Sequence, residues 1–522
     1  RERQKPILPE RKDMIRSMSS RPTSAGSVAR SRARPSSAGS WSTLPSRPQS
    51  AAVGRLRHLT HPDKRVPLTE KDLQPMSCEA WPATPQRSRR PQTAPNTRHV
   101  PSSCRKYLQE CHQRATVPDT IDFNTGLSSK LLAQRRGFTD HDLLAITGML
   151  QDREHMEEIN LRENLSLTDA GIVPFFEQLA KGEHLMEHLR KMDFKLCKGM
   201  GCRSLESLLR LLPVARHLRE INVSGVQLGM KLQLRFCETL GAHPSLTFMS
   251  LARVGLGGHC LTGKCLRHLF GSATNKKLDL SWNVFSKKDF QVIGDYIAEN
   301  TCLMHLLLDN TAAYIVGEDT PISELIEKLA FNSALRSLSI CTNRIDSRAA
   351  LVIEDSLEGH PMLSRLYLRN NPLGIHGLRS ILRLLCRKES SMSRLDIEGC
   401  KSGDEKTKST ETHTKVFSFT NPGGKYILDL GIPYDRSLCR MLYETAERFN
   451  LEHNKAFVNI NHSHPPYHHP VRDSIGQYKV RREGILTFTF NVESAIAAAW
   501  SNVADDDFIG FLNSHLAMMR FE

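Results

Sequence analysis

Three stretches of this chain hold residue types that could do chemistry. In His462-Ser-His464-Pro-Pro-Tyr-His468-His469, with Asp473 close behind, four imidazoles and a carboxylate of metal-ligand type crowd into one short segment. The two prolines stiffen that segment without converging the rings, so a solvated loop explains it as well. In Gly257-Gly258-His259-Cys260 an imidazole stands beside a thiol, the pairing of nucleophilic catalysis. A glycine turn running into a helix accounts for the same four letters. The third set is a row of hydroxyls near the start of the chain: Ser24, Ser37, Ser50 and Thr93, each three residues after an arginine in Arg21-Pro-Thr-Ser24, Arg34-Pro-Ser-Ser37, Arg47-Pro-Gln-Ser50 and Arg90-Pro-Gln-Thr93. Phosphorylation there would subtract about 1.5–2 charges per site. Asp505-Asp506-Asp507 reads as the acidic start of a helix, since Phe508 follows directly. There is no glycine-rich phosphate loop with Lys-Ser/Thr, no HExxH and no nucleophile elbow. The expectation is a non-enzymatic protein with no catalytic residue, no metal and no cofactor.

The elements that would position any site come from a repeat. Leu363-Ser-Arg-Leu366-Tyr-Leu368-Arg-Asn-Asn371 has eight relatives between Met156 and Cys400. Their central apolar residues are Ile159, Met192, Ile221, Met249, Leu278, Leu306, Leu338, Leu366 and Leu395, at spacings of 33, 29, 28, 29, 28, 32, 28 and 29. A near-constant period of this size is a solenoid signature. After each apolar-x-apolar core comes an amphipathic run, as in Leu205, Leu208, Leu209 and Leu212, or Leu378, Ile381, Leu382 and Leu385. Each unit therefore reads as strand, turn and helix. The spacing of 32 implies an insertion near 314–320.

The pattern Leu-x-x-Leu-x-Leu-x-x-Asn/Cys resembles the leucine-rich repeat family, and its length resembles the ribonuclease-inhibitor-like subfamily. The resemblance covers residues 156–400, and the Tyr107…Cys111…Pro118 approach is similar to the lead-in of cytoplasmic members. It implies an α/β horseshoe with a parallel concave sheet and outer helices. It also implies a ladder of inward Asn or Cys side chains, matched by Asn164, Cys197, Asn283, Asn343, Asn371 and Cys400, with Thr311 as a substitute. Val226 and Val254 depart from the pattern, and Asn275 stands where leucine is expected, so units three to five are expected to be looser or locally distorted. Some subfamily members activate the small GTPase Ran, which makes a small-GTPase regulator the alternative function. Such proteins commonly carry an acidic tail, unlike this one.

Function is expected on the strand positions between the leucines, which face away from the core. One column reads Asn160, Asp193, Asn222, Ser250, Asp279, Leu307, Ser339, Tyr367, Asp396, and the next Arg162, Lys195, Ser224, Ala252, Ser281, Asp309, Cys341, Arg369, Glu398. Trp282, Leu307, Asp309, Tyr367 and Arg369 are the candidate partner-binding residues, because aromatics and arginine dominate interface energies. An ordinary solvated strand face is the competing reading.

The 522 residues carry a net charge of +15, of which 13 units lie in residues 1–100, where 20 Lys and Arg face 7 Asp and Glu. That segment is rich in Ser, Arg, Pro and Ala and too poor in apolar residues to offset chain entropy, so it is expected to be disordered. It is either a linker of drifting composition or a basic tether for an acidic surface such as tubulin tails or anionic lipid. Its Arg-Pro-x-Ser/Thr-Ala motifs resemble those in tails of ciliary and cytoskeletal proteins. A nucleic-acid partner is disfavoured, since few aromatics interleave with the charge. Thirteen scattered cysteines without CxxC pairs, and no long apolar run, suggest a reduced, cytoplasmic setting.

Two flanking segments complete the expected organisation. Residues 101–155 are read as a helical cap. After a linker at 401–413, residues 414–522 read as a small α+β module with strands at 416–420, 426–430, 457–460 and 485–490, and helices from Pro433, at 494–500 and at 508–518. Gly424–Leu430 with Pro433-Tyr-Asp-Arg436 resembles a segment that follows leucine-rich repeats in protist proteins.

Overall fold

The computed structural model describes residues 102–401 apart from 314, 316–317 and 387–390, then residue 417 and residues 422–492 apart from 449. The tail hydroxyls Ser24, Ser37, Ser50 and Thr93, nearly all of the 416–420 strand and the helices at 494–500 and 508–518 lie outside the described residues.

Ten three-residue strands form one parallel sheet in chain order: β1 (Lys130–Leu132), β2 (Glu158–Asn160), β3 (Lys191–Asp193), β4 (Glu220–Asn222), β5 (Phe248–Ser250), β6 (Lys277–Asp279), β7 (His305–Leu307), β8 (Ser337–Ser339), β9 (Arg365–Tyr367) and β10 (Arg394–Asp396). The central residue of each strand points inward, and from Leu131 to Leu366 every one of them is fully buried. Helices run antiparallel behind the sheet. They are α1 (Ser102–Gln113), α2 (Asp122–Thr125), α3 (Asp140–Met149), α4 (Asp169–Lys181), α5 (Glu183–Glu187), α6 (Cys202–Leu211), α7 (Met230–Gly241), α8 (Thr262–Phe270), α9 (Lys287–Glu299), α10 (Ser323–Leu329), α11 (Ser347–Leu357) and α12 (Gly374–Cys386). Their apolar sides and the strand centres share one continuous core from Tyr107 to Leu384.

The sheet begins one unit before the first recognisable repeat. Leu131 lies 28 residues ahead of Ile159 and pairs with it in register. The unit is hidden in the sequence because Ser128, Ala133 and Arg136 occupy its leading leucine, second apolar and Asn/Cys positions. Residues 101–155 are therefore not helical throughout: α1 packs on α3, while β1 and α3 complete a tenth unit. In α3, Asp142 accepts hydrogen bonds from the backbone and hydroxyl of Thr139 at 2.8 and 2.7 Å, the reciprocal half of a helix cap.

The middle units are not loosened. Strands β4, β5 and β6 pair in the same register as the rest, and Val226 and Val254 are fully buried. The departure at Asn275 is absorbed locally: the side chain is 2% exposed and neither of its polar atoms has a partner among the described residues.

A feature shared by all ten units is the turn. The residue four places after each strand centre is left-handed: Arg135, Glu163, Leu196, Gly225, Arg253, Trp282, Asn310, Thr342, Asn370 and Gly399. Only two are glycine, so the closed loop imposes a backbone that costs a side-chain-bearing residue about 1 kcal/mol. Gly257 is obligatory for a different reason: a Cβ there would meet the Val284 carbonyl oxygen at 1.8 Å.

Beyond the solenoid, β11 (Gly424–Asp429), β12 (Phe457–His462) and β13 (Ile485–Phe490) form an antiparallel sheet in the order β11-β13-β12. With them are α13 (Pro433–Arg448) and α14 (His453–Ala456). Tyr426, Leu442, Tyr443, Phe457 and Phe488 fill this second core, and Leu351 of α11 enters it from the solenoid. Helix α13 packs against α10 and α11, so the module covers part of the convex surface.

Candidate interaction site on the concave face

Each strand buries its centre and turns its two flanking residues outward, so the open face is built from columns that run across the strands in register. Much of the column between the paired apolars is occupied structurally. The side-chain oxygens of Asn160, Asp193, Asn222, Asp279 and Asp396 accept from the backbone N–H two residues on, at 3.3, 2.9, 3.0, 3.0 and 3.3 Å. These short Asx turns hold the exit of each strand. The hydroxyls of Ser224 and Ser250 meet at 2.7 Å, and Ser250 donates to Asp279 at 3.0 Å.

The five candidate residues fall at different places on this face. Leu307 and Tyr367 are half-buried in one column, with Ser339 between them in register. Asp309 is engaged within the sheet, accepting from Ser339 Oγ at 2.6 Å and Cys341 N–H at 2.9 Å. Arg369 donates from Nε to Asp396 at 2.6 Å and pairs with Glu398 at 3.1 Å. The bond to Asp396 raises its pKa. Trp282 leaves the sheet altogether: it sits at the left-handed turn position, 58% exposed, beside Val284 at 57%.

Behind the face runs a buried ladder. Asn164 donates to the carbonyls of Ala133 and Leu161, both at 2.8 Å, and accepts from Phe138 N–H at 3.0 Å. Asn283 donates to Leu251 and Leu280 at 2.9 and 2.8 Å. Asn371 donates to Ile340 and Leu368 at 3.1 and 2.7 Å. Asn343 donates to Leu308 at 2.7 Å and accepts from Thr311 N–H at 2.8 Å. Cys197 and Cys400 donate their thiols to Leu161 and Leu368 at 3.0 and 3.1 Å. Each of these side chains reaches the preceding unit's backbone, which replaces the water those buried groups have lost.

Several of the residues read as possible chemistry are engaged one by one rather than together. His259 Nε2 bonds Gln233 while Cys260 is exposed. His462 faces the His464 carbonyl at 2.9 Å, and His469 lies between Tyr443 Oη at 2.7 Å and Asn454 at 3.1 Å. Asp473 caps its own turn, accepting from Ile475 and Gln477 N–H, each at 3.0 Å.

Sequence reading missed two features. One is the leading strand column, which includes Lys277, His305, Arg365 and Arg394. The other is a charge cluster between module and solenoid. Arg436 forks onto Glu327 at 2.8 and 2.6 Å and donates to the Leu430 carbonyl at 2.7 Å. Arg440 donates to Asp355 at 2.8 and 2.6 Å and reaches Glu327 at 3.2 Å. None of the four is more than 6% exposed. Burial alone would raise Glu327, but the bonds and charges of Arg436 and Arg440 prevail and hold it at about 2. Its contribution to stability is thus present above the ordinary carboxylate range and lost only as pH falls towards that value. The sequence signal was faint: acids set among apolar residues in α10 and α11, and arginines one helical turn apart in α13.

No known protein-family model matches the chain. Pig (Sus scrofa) ribonuclease inhibitor is 26% identical over 276 residues, covering 52% of this chain and 57% of that protein. Mouse (Mus musculus) NACHT, LRR and PYD domains-containing protein 12 is 26% identical over 214 residues, 38% of this chain and 19% of the relative. The chain thus spans little more than half the length of one and a fifth of the other. Among solved structures, an internalin from Listeria monocytogenes aligns with 57% of this chain and 95% of its own at 14% identity and a TM-score of 0.27. Among the described residues no helix is long and apolar enough to cross a membrane.

Proposed function

We propose that this chain, a leucine-rich repeat protein of the ribonuclease-inhibitor-like type, is a non-enzymatic scaffold. Its concave sheet holds a protein partner, and its basic N-terminal segment tethers it to an acidic filament surface of tubulin type, in a cytoskeletal or ciliary setting. The observation that carries the first half is the ten-strand face itself, which no other described element covers, while the module covers convex helices instead. The pig relative, which by its name inhibits another protein, supports protein recognition. On this reading Trp282, Leu307 and Tyr367 are apolar anchors, Asp309 holds neighbouring units in place, and Arg369, paired with Asp396 and Glu398 at an exposed position, belongs to the partner-facing surface. The tether rests on the net charge of +13 concentrated in residues 1–100, where 20 Lys and Arg face 7 Asp and Glu.

Co-sedimentation with microtubules tests the tether. Deleting residues 1–100 should abolish it, and added salt should weaken it steeply in the intact chain; unchanged pelleting sinks the idea. For the concave face, hydrogen-exchange footprinting of a captured partner should protect β6–β10. Acceleration of single-turnover GTP hydrolysis by a small GTPase would instead favour the regulator reading.

A further inference from the structure

The leading column of the concave sheet changes character halfway along. In the first four strands it alternates in sign: Lys130, Glu158, Lys191, Glu220. These charges neutralise each other, with Lys191 3.2 Å from Glu158 and 3.8 Å from Glu220. From β6 onward the column is Lys277, His305, Ser337, Arg365, Arg394, with Arg336 beside it, and contains no acid. Among the described residues none of its lysines and arginines lies within ion-pair reach of a carboxylate. The acids of the adjoining columns are already engaged: Asp279 by Ser250 and Ser281, Asp309 by Ser339 and Cys341, Asp396 by Arg369.

Arg365 and Arg394 stand directly opposite across β9 and β10, where like charges destabilise a sheet. Such a juxtaposition is relieved by an anionic occupant. The crowding is felt by His305, whose pKa is lowered first by burial and then by Arg365, Lys277 and Arg336. From Lys277 to Arg394 is four strand steps, roughly 19 Å at ~4.8 Å per step, a span that an extended peptide of about six residues covers.

We propose that this basic half of the concave face binds an acidic, extended peptide segment of the partner protein. The inference rests on the scaffold reading above and supplies the partner's chemistry. A peptide fits better than a polynucleotide because two rings along the column already pair with its own cations. Lys277 Nζ sits 4.8 Å from the Phe248 ring centre and the Arg394 guanidinium 5.8 Å from that of Tyr367. Both of these rings thus already carry a cation where a base would stack.

The test uses the full chain and an oligoglutamate of about six residues carrying a photo-crosslinker and a fluorophore. Crosslinks should map to β6–β10. The double variant Arg365→Glu/Arg394→Glu should weaken binding at that site by about tenfold or more, while Lys191→Glu leaves it within about twofold. The His305 pKa, followed by NMR, should rise on binding. Crosslinks confined to residues 1–100, or equal losses from both variants, overturn the proposal. Displacement by an oligouridylate of equal charge at lower concentration overturns it in favour of a polynucleotide. If oligoglutamate fails while a captured partner still protects β6–β10, this inference falls and the scaffold reading stands. A partner footprint elsewhere removes the scaffold reading itself.

Discussion

The two faces of this solenoid use the same residue types to opposite ends. On the convex side Glu327, Asp355, Arg436 and Arg440 are withdrawn from water and bonded on nearly every polar atom. On the concave side Lys277, Arg365 and Arg394 stay in water with no carboxylate partner among the described residues, and Arg369 pairs with Asp396 and Glu398 at an exposed position. Desolvation makes the difference. A buried charge that loses its partner has no water to fall back on, whereas an exposed pair exchanges one hydrated state for another. The convex cluster therefore locks the module in one pose, and the concave charges remain free to meet something else.

The largest effect should come from breaking the lock. Arg440→Ala strands Asp355 and part of Glu327 in the interface and is expected to cost about 3–5 kcal/mol, read as a loss of module docking in denaturant melts. A smaller change would mean that water enters the interface and that the two faces differ less in solvation. Next is Asp435, which is buried, accepts from Asp429 N–H at 2.7 Å, and is raised by that burial to about 6 from 3.8. An acid raised on folding stabilises fully below its unfolded value and loses that contribution as pH rises through the folded one. Asp435→Asn keeps the acceptor without the charge. It should gain about 2 kcal/mol at neutral pH, and the gain should shrink as pH falls towards about 4. A gain independent of pH would refute ionisation as its cause.

Asn275→Leu should restore the repeat consensus and stabilise by about 1–2 kcal/mol, visible as a higher melting temperature, because it removes two buried, unpartnered polar atoms. Destabilisation would show that the pocket cannot accept the branched side chain. The smallest effect belongs to the concave face: Arg369→Ala should leave the melting temperature unchanged within experimental scatter. A marked drop would place Arg369 with the convex cluster rather than with the free face.

Legibility followed periodicity. Nine strand centres could be located from Ile159 to Leu395 because burying an apolar residue once per turn of the solenoid imposes a repeating constraint on each unit alone. The β1 unit escaped because Ser128, Ala133 and Arg136 meet the same geometry with smaller or polar residues, supported by α1 and α3. The α+β character of the module was readable from its alternating strands, but its seat was not. Glu327 and Arg436 are 109 residues apart, and nothing local pairs them. The candidate residues were mixed in the same way. Tyr367 and Leu307 could be placed on one column by counting, while the engagement of Asp309 with Ser339 and of Arg369 with Asp396 depends on neighbours in adjoining units.

What this sequence determined by itself is the solenoid: its period, its inward leucines and the order of its strands all follow from apolar burial, which each unit encodes locally. Only the tertiary structure decided where charge matters. Register across units brings Arg365 opposite Arg394 and leaves both exposed, and module docking buries Arg436 and Arg440 against Glu327 and Asp355. The physical reason is that hydrophobic pattern is a property of neighbours along the chain, whereas the strength of a charge depends on how much water its distant neighbours exclude.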